Sequence, residues 1–179
     1  MEEMPKAKVA ASVARGARLR FGLLVGALVA FIVLTPREHV WTGLAPLDLL
    51  TAKATAHLLT RCGMEVHREA AVLSHPSGFA YEIYWRCTGL LPAGFLAIVI
   101  LASPAPLARR GLGVLWGMPL VLAVNLLRLA SLFFIGVRYP AAFDVAHSLV
   151  WEGIVILAVL GVWLGWMRLA GARVAGRGQ

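Results

Sequence analysis

Gly111 to Val137 reads GLGVLWGMPLVLAVNLLRLASLFFIGV. Leu112–Val137 is long and apolar enough to cross a bilayer, which takes about 20 residues, yet Asn125 and Arg128 lie in its interior. An ionisable side chain at membrane depth costs roughly 2.5–3.5 kcal/mol on insertion scales and points to function unless a structural partner explains it. The fold of the chain therefore turns on what this helix meets. Over the whole chain of 179 residues, 60% are hydrophobic and the mean hydropathy is +0.79. Those values exclude a soluble globular domain and a disordered chain, and point to a single polytopic membrane domain over 1–179.

Three more apolar runs flank that helix. Leu19–Leu34 ends at Thr35-Pro36 and follows a basic tail with Lys6, Lys8, Arg15, Arg18 and Arg20. A cleavable signal peptide competes here, but no small-x-small cleavage site follows, so an uncleaved first span over 19–35 is expected. Gly89–Ala102 closes at Ser103-Pro104-Ala105-Pro106 and spans only if Cys87 and Thr88 stand at its start, giving 88–103. The third span is 112–137 and the fourth is 148–167. Between the first and second lies an outer segment, 36–87. Within it Leu47–Leu59 has helical periodicity, with Leu49, Leu50, Leu58 and Leu59 set against Lys53 and His57. It reads as an interfacial amphipathic helix ended by Gly63. Met64–Leu73 and Phe79–Trp85 are β-prone, and Ser74-His75-Pro76-Ser77-Gly78 between them predicts a small β-hairpin. The expected fold is all-α and polytopic, with about four transmembrane helices, an extracytoplasmic amphipathic helix and that hairpin.

Charge orients the spans. The N-terminal tail, the Arg109-Arg110 loop and the C-terminal Arg168, Arg173 and Arg177 share one side; their ten cations less Glu2 and Glu3 leave +8. On the other side Arg37, Lys53, Arg61, Arg68, Arg86 and Arg138 are matched by Glu38, Asp48, Glu65, Glu69, Glu82 and Asp144. The entire excess lies on one face, so both termini are expected in the cytoplasm. Arg128, nine residues before Val137, then sits ~13 Å below the outer end of its span at 1.5 Å per residue. Cys87 begins the second span from the outside and His147 begins the fourth, with Glu152 just over a turn deeper. A thiol, a guanidinium and an imidazole from three spans fall at one level.

Each has a plain structural alternative. Cys87 can be a small apolar filler, Asn125 interhelical glue, His147 an interfacial histidine and Arg128 a partner for Glu152. Cys62 has no nearby partner and reads as structural; His39, His57, His67 and His75 lack metal-ligand spacing and read as solvated surface, and no metal and no cofactor is expected. Taken together, the three groups suggest a membrane-embedded cysteine hydrolase or transpeptidase. A helix N-terminus and a nearby cation lower a thiol pKa, an imidazole exchanges protons near neutral pH, and a fixed cation in a dry site stabilises an oxyanion. Two other classes stand against it: a thiol-redox membrane protein using Cys62 and Cys87, and a non-catalytic scaffold held by Arg128–Glu152.

The ordered set Cys87-Thr88-Gly89, Asn125-Leu126-Leu127-Arg128 and His147 before a final span resembles the exosortase/archaeosortase family. Ser77–Ile83 and Tyr139–His147 most resemble its short exosortase H branch. The resemblance implies a cysteine protease/transpeptidase of the bacterial inner membrane, with Cys87 as nucleophile, His147 as acid/base and Arg128 as transition-state stabiliser. Its implied partners are membrane lipid and exported proteins ending in a short motif, a transmembrane helix and a basic tail. Cleavage would pass through a thioester at the outer face. No nucleic acid is expected. One departure stands out: Tyr84-Trp85-Arg86 precedes the cysteine where the family pattern has small or polar residues.

Overall fold

The computed structural model describes residues 45–175, with side chains to Leu169, together with Leu19, Gly22 and Gly26. The expected first span and the basic N-terminal tail otherwise lie outside the described residues, as does Arg177.

Helix α1 (Ala45–Arg61) opens with Asp48 in its first turn and closes with Arg61 in its last, each charge opposing the helix dipole at its end. Gly63 at φ +77° ends it. The Gly63 N–H bonds the Thr60 carbonyl and the Met64 N–H the Leu59 carbonyl, a left-handed C-terminal cap that favours glycine. The buried stripe is Ala52, Thr55 and Leu59, at steps of three and four. Leu49 and Leu50 are exposed instead of packing with Leu59, leaving two leucines for an apolar surrounding.

The expected hairpin is a three-stranded antiparallel sheet, β1 (His67–Glu69), β2 (Val72–Ser74) and β3 (Ala80–Glu82), in the order β1-β2-β3. The predicted first strand, Met64–Leu73, breaks at Ala70-Ala71, where Ala70 takes φ 52° and the Arg68 guanidinium donates to its carbonyl. No glycine, proline, asparagine or aspartate marks that turn, so residue type gave no signal. The second turn is where it was expected. Gly78 at φ +94° and the Ser77 N–H bonded to His75 Nδ1 reverse the chain between Ser74 and Ala80, which face each other in the register.

A 3-10 turn (Trp85–Cys87) then leads into α2 (Leu90–Ala102). Its 13 residues cover about 20 Å, well short of a ~30 Å hydrocarbon core. Cys87 lies before the helix, not on it. After the Pro104–Pro106 break, α3 (Leu107–Arg138) runs for 32 residues, about 48 Å, and takes Arg109 and Arg110 into its first turn. Its buried face steps by four through Gly113, Gly117, Val121, Asn125 and Leu129. The last segment joins a 3-10 turn (Pro140–Ala142), a single helical turn α4 (Phe143–Val145), a π-helical turn (Ala146–Val150) and α5 (Trp151–Ala175). Among the described residues, Leu107–Arg138 and Pro140–Leu169 are long and apolar enough to cross a membrane, and α2 is the shorter apolar helix beside them.

Two cores hold these elements. In one, Ala93, Leu96 and Ile100 of α2 pack with Val121 of α3 and Val159 of α5. Gly113 and Gly117 let α5 and α2 approach α3 closely, since a Cβ there would fall 2.4 Å from Trp166 and 2.9 Å from Leu96. In the other, Ala52 and Leu59 of α1, Leu73 under the sheet, Ile83 and Cys87 close on Leu129 and Phe133. That second core fastens α1 and the sheet to the C-terminal half of α3. Exposed leucines and isoleucines line α5 and the π-helical turn before it, among them Leu149, Ile156 and Leu157, an apolar surface suited to lipid.

Candidate active site

Cys87 ends the 3-10 turn, its N–H 2.6 Å from the Tyr84 carbonyl, and is 8% exposed. Thr88 caps the same turn by donating its hydroxyl to the Trp85 carbonyl at 2.7 Å. Gly89 follows at φ +80°, a conformation side chains disfavour. A Cβ there would also stand 2.8 Å from Asn125 Cβ. Glycine is required twice over, by backbone and by packing. The contact brings α3 against the cysteine turn, where Asn125 Nδ2 donates to the Cys87 carbonyl at 2.7 Å.

Asn125 is 2% exposed and spends both ends of its amide, for its Oδ1 accepts a long 3.4 Å bond from Arg128 Nη1. One turn along α3, Arg128 Nη2 lies 3.3 Å from His147 Nε2. A guanidinium only donates, so Nε2 is the acceptor and the imidazole proton sits on Nδ1. The ring of Phe143 stacks on His147 at 5.9 Å and 16°, and the π turn that carries His147 offsets it from the regular helix of α5. A chain of bonds thus runs Cys87–Asn125–Arg128–His147 across three elements.

One donor in that chain is unspent. Arg128 Nε is buried and has no hydrogen-bond partner, and a buried donor left unmade costs about 1–3 kcal/mol. Glu152 does not take it. Its residue is exposed, and the one ion pair among the described residues joins His67 to Glu65. The two intramembrane charges cancel in sum but do not pair. Cys87 and His147, for their part, make no direct hydrogen bond.

The electrostatics of Cys87 differ from the sequence expectation. Burial pushes the thiol above its ordinary range, and this outweighs the Tyr84 backbone bond and the Arg128 charge, which pull it down.

Sequence reasoning missed three neighbours. Tyr81 on β3 is mostly buried and donates its hydroxyl to the Leu129 carbonyl at 3.0 Å, tying the sheet to α3 beside Arg128. Tyr84 precedes the cysteine turn in extended backbone and closes it by accepting the Cys87 N–H on its carbonyl. Asp48 of α1 reaches the same region with one buried, unpartnered carboxylate oxygen, and burial and the Glu82 carboxylate push its pKa up. Only Tyr84 left a trace in the sequence, as the departure before the cysteine; its meaning depends on the turn type. The other titratable groups are peripheral. Cys62 is exposed and, like Cys87, a free thiol. His57 is exposed, while His75, expected on the solvated surface, is partly buried with its ring edge against Phe133 at 6.3 Å. His39 lies outside the described residues. No group of three or more metal-type ligands occurs among the described residues.

A mostly helical chain with two long apolar helices and a polar network sunk between them is the architecture of a membrane-embedded protein with an internal site. A scan of protein-family models matches residues 9–171 to the transmembrane exosortase family (Exosortase_EpsH), and the chain belongs to that family. No curated protein and no solved structure matches it.

Proposed function

We propose that this exosortase-family protein is a cysteine peptidase/transpeptidase that cleaves C-terminal sorting signals of exported proteins, with Cys87, Arg128 and His147 as its catalytic residues. The observation that carries the reading is Arg128: its guanidinium is held by Asn125 and His147 while the buried Nε–H has no partner. Such a donor, fixed and dry, suits an oxygen that gains negative charge during reaction. Asn125 positions it by clamping the nucleophile's own backbone.

In this mechanism the Cys87 thiol gives its proton to His147 Nε2 and the sulfur attacks a substrate carbonyl. As Nε2 takes the proton it gives up its bond from Arg128 Nη2, and the unspent Arg128 Nε–H meets the oxyanion. The C–N bond breaks, His147 returns the proton to the leaving amine, and a thioester remains on Cys87. Water or an acceptor amine then resolves it and releases the thiol. The site lies at the outer face of the inner membrane, both termini are cytoplasmic, and the substrate's helix and basic tail stay in the membrane after cleavage.

The test is processing of a co-expressed protein bearing motif, apolar helix and basic tail. Cys87→Ala should leave that protein full-length while the enzyme itself still inserts; normal processing by the variant would overturn the assignment. The thiol-redox reading is disfavoured because one cysteine is exposed and the other buried, with no disulfide between them.

A further inference from the structure

The outer sheet reaches the candidate site through one aromatic side chain. Gly78 at φ +94° turns the chain, and the His75 N–H bonds the Phe79 carbonyl at 2.8 Å, so the backbone of Phe79 is fixed just before β3. Its ring meets both sides of the junction between α3 and the last segment. The ring centroid stands 5.7 Å from Phe133 of α3 and 5.5 Å from Phe143 of α4, edge to face at 75° and 61°. Gly136 of α3 makes the room, since a Cβ there would run into the Phe79 ring.

Gly136 follows Arg128 by about two turns of α3, and His147 follows Phe143 by about one turn. The two segments are thereby joined at two levels. At one, Phe79 bridges Gly136 and Phe143; at the other, Arg128 Nη2 meets His147 Nε2. That bond is 3.3 Å, long for an N–H donor, and by itself fixes the imidazole plane weakly. The ring of Phe143 lies only 16° from the imidazole plane and defines it. Because His147 stands on a π turn, outside the regular helical ladder, packing of this kind locates its ring.

We propose that Phe79 is a positioning residue for His147. Its ring seats Phe143 against α3, and Phe143 holds the imidazole so that Nε2 remains the acceptor facing Arg128. This role rests on His147 being the acid/base of the reaction. A proton exchanged with sulfur and with the leaving amine requires an imidazole held within hydrogen-bond reach, and a misplacement of about 1 Å costs a rate factor on the order of a hundred. The outer sheet thus completes the site without contributing an ionisable group to it.

The experiment uses the full chain in detergent with isotope-labelled histidine, the His147 ring nitrogens being assigned by difference from His147→Gln. At about pH 8, above the ordinary imidazole range, wild type should carry the ring proton on Nδ1. Phe79→Leu keeps much of the apolar volume and removes the ring edge, so a second population protonated on Nε2 should appear. Phe143→Leu should give the same signature from the other side of the contact. On a cleavable substrate each variant should lower kcat about tenfold or more and leave KM nearly unchanged. The double variant should be no slower than either single one, as expected of groups that act in one chain. Phe134→Leu, which alters an exposed ring of α3, is the control and should change neither readout. Phe79→Met, a milder change at the same position, keeps the test readable if leucine costs the sheet its fold. A merely structural Phe79 gives the opposite pattern: a lower melting temperature with the His147 tautomer unchanged, or effects of Phe79→Leu and Phe143→Leu that simply add. Either result overturns the proposal, and so does a wild-type ring protonated on Nε2. The tautomer needs no substrate, so a wild-type protein that cleaves nothing would sink the peptidase reading and still leave the Phe79 result readable.

Discussion

Arg128 separates a catalytic from a structural account at a single residue. If its task were to neutralise charge, lysine would serve. The guanidinium instead makes two directed bonds, to Asn125 and His147, and keeps a third donor in reserve; an ammonium has no planar fork to reproduce that. Arg128→Lys should therefore cut processing at least a hundredfold while the protein inserts normally, checked by substrate cleavage beside a membrane-fraction blot. Asn125→Ala should act differently. It leaves the Cys87 carbonyl buried without its donor, costing about 1–3 kcal/mol, and should lower both thermal stability in detergent and activity. The thiol adds a pH dependence. Its folded pKa is raised, chiefly by burial, so the neutral form is favoured in the folded state. That contribution to stability is complete below the ordinary thiol pKa of about 8.5 and is lost as pH rises through the folded value. Wild type should consequently lose melting temperature on the alkaline side more steeply than Cys87→Ala, in scans from neutral to alkaline pH.

At the scale of elements, the site depends on how closely α3 approaches its neighbours. Gly89 and Gly136 mark the two contacts that matter, against Asn125 and Phe79 respectively. At Gly89 both the positive φ and the 2.8 Å approach oppose any side chain. Gly89→Ala should abolish processing and sharply reduce the folded fraction, whereas Gly153→Ala, where a Cβ meets nothing within 4 Å, should leave both unchanged; fluorescence-detected size exclusion and the cleavage assay measure the pair. The elements also divide by how readily they are read. Helix α1, its Gly63 end and the long helix α3 follow from periodicity and residue type. The extra strand does not, because Ala70 turns the chain without any of the residues that usually mark a turn. The π turn carrying His147 is equally silent in sequence. Its His147 meets Phe143 and Arg128, contacts that no local propensity records.

For the whole molecule, length and composition bound the answer before any coordinate is considered. A chain that is 60% hydrophobic, with its surplus of +8 confined to three segments, is a membrane protein of asymmetric charge, and membership in the transmembrane exosortase family agrees. The number of crossings is a question of geometry, since α2 with 13 residues falls short of a bilayer by itself. Cysteine-scanning accessibility from the two sides, on a Cys62→Ser background, should place positions 109 and 173 together and position 68 opposite. Labelling of 68 and 109 from the same side would refute the orientation drawn from charge.

Two kinds of determination separate cleanly here. The sequence by itself determined the class of protein, the family, the apolar helices and the short list of chemistry-bearing residues, because hydropathy, charge and residue type are local quantities that survive without a fold. Only the tertiary structure decided how those residues meet. Asn125 bonds the cysteine turn, Arg128 bonds Asn125 and His147 in place of Glu152, and the thiol is raised by burial despite the neighbouring cation. Hydrogen-bond choice and desolvation are set by distances of a few ångströms between groups up to 38 residues apart, and such distances exist only once the helices have packed.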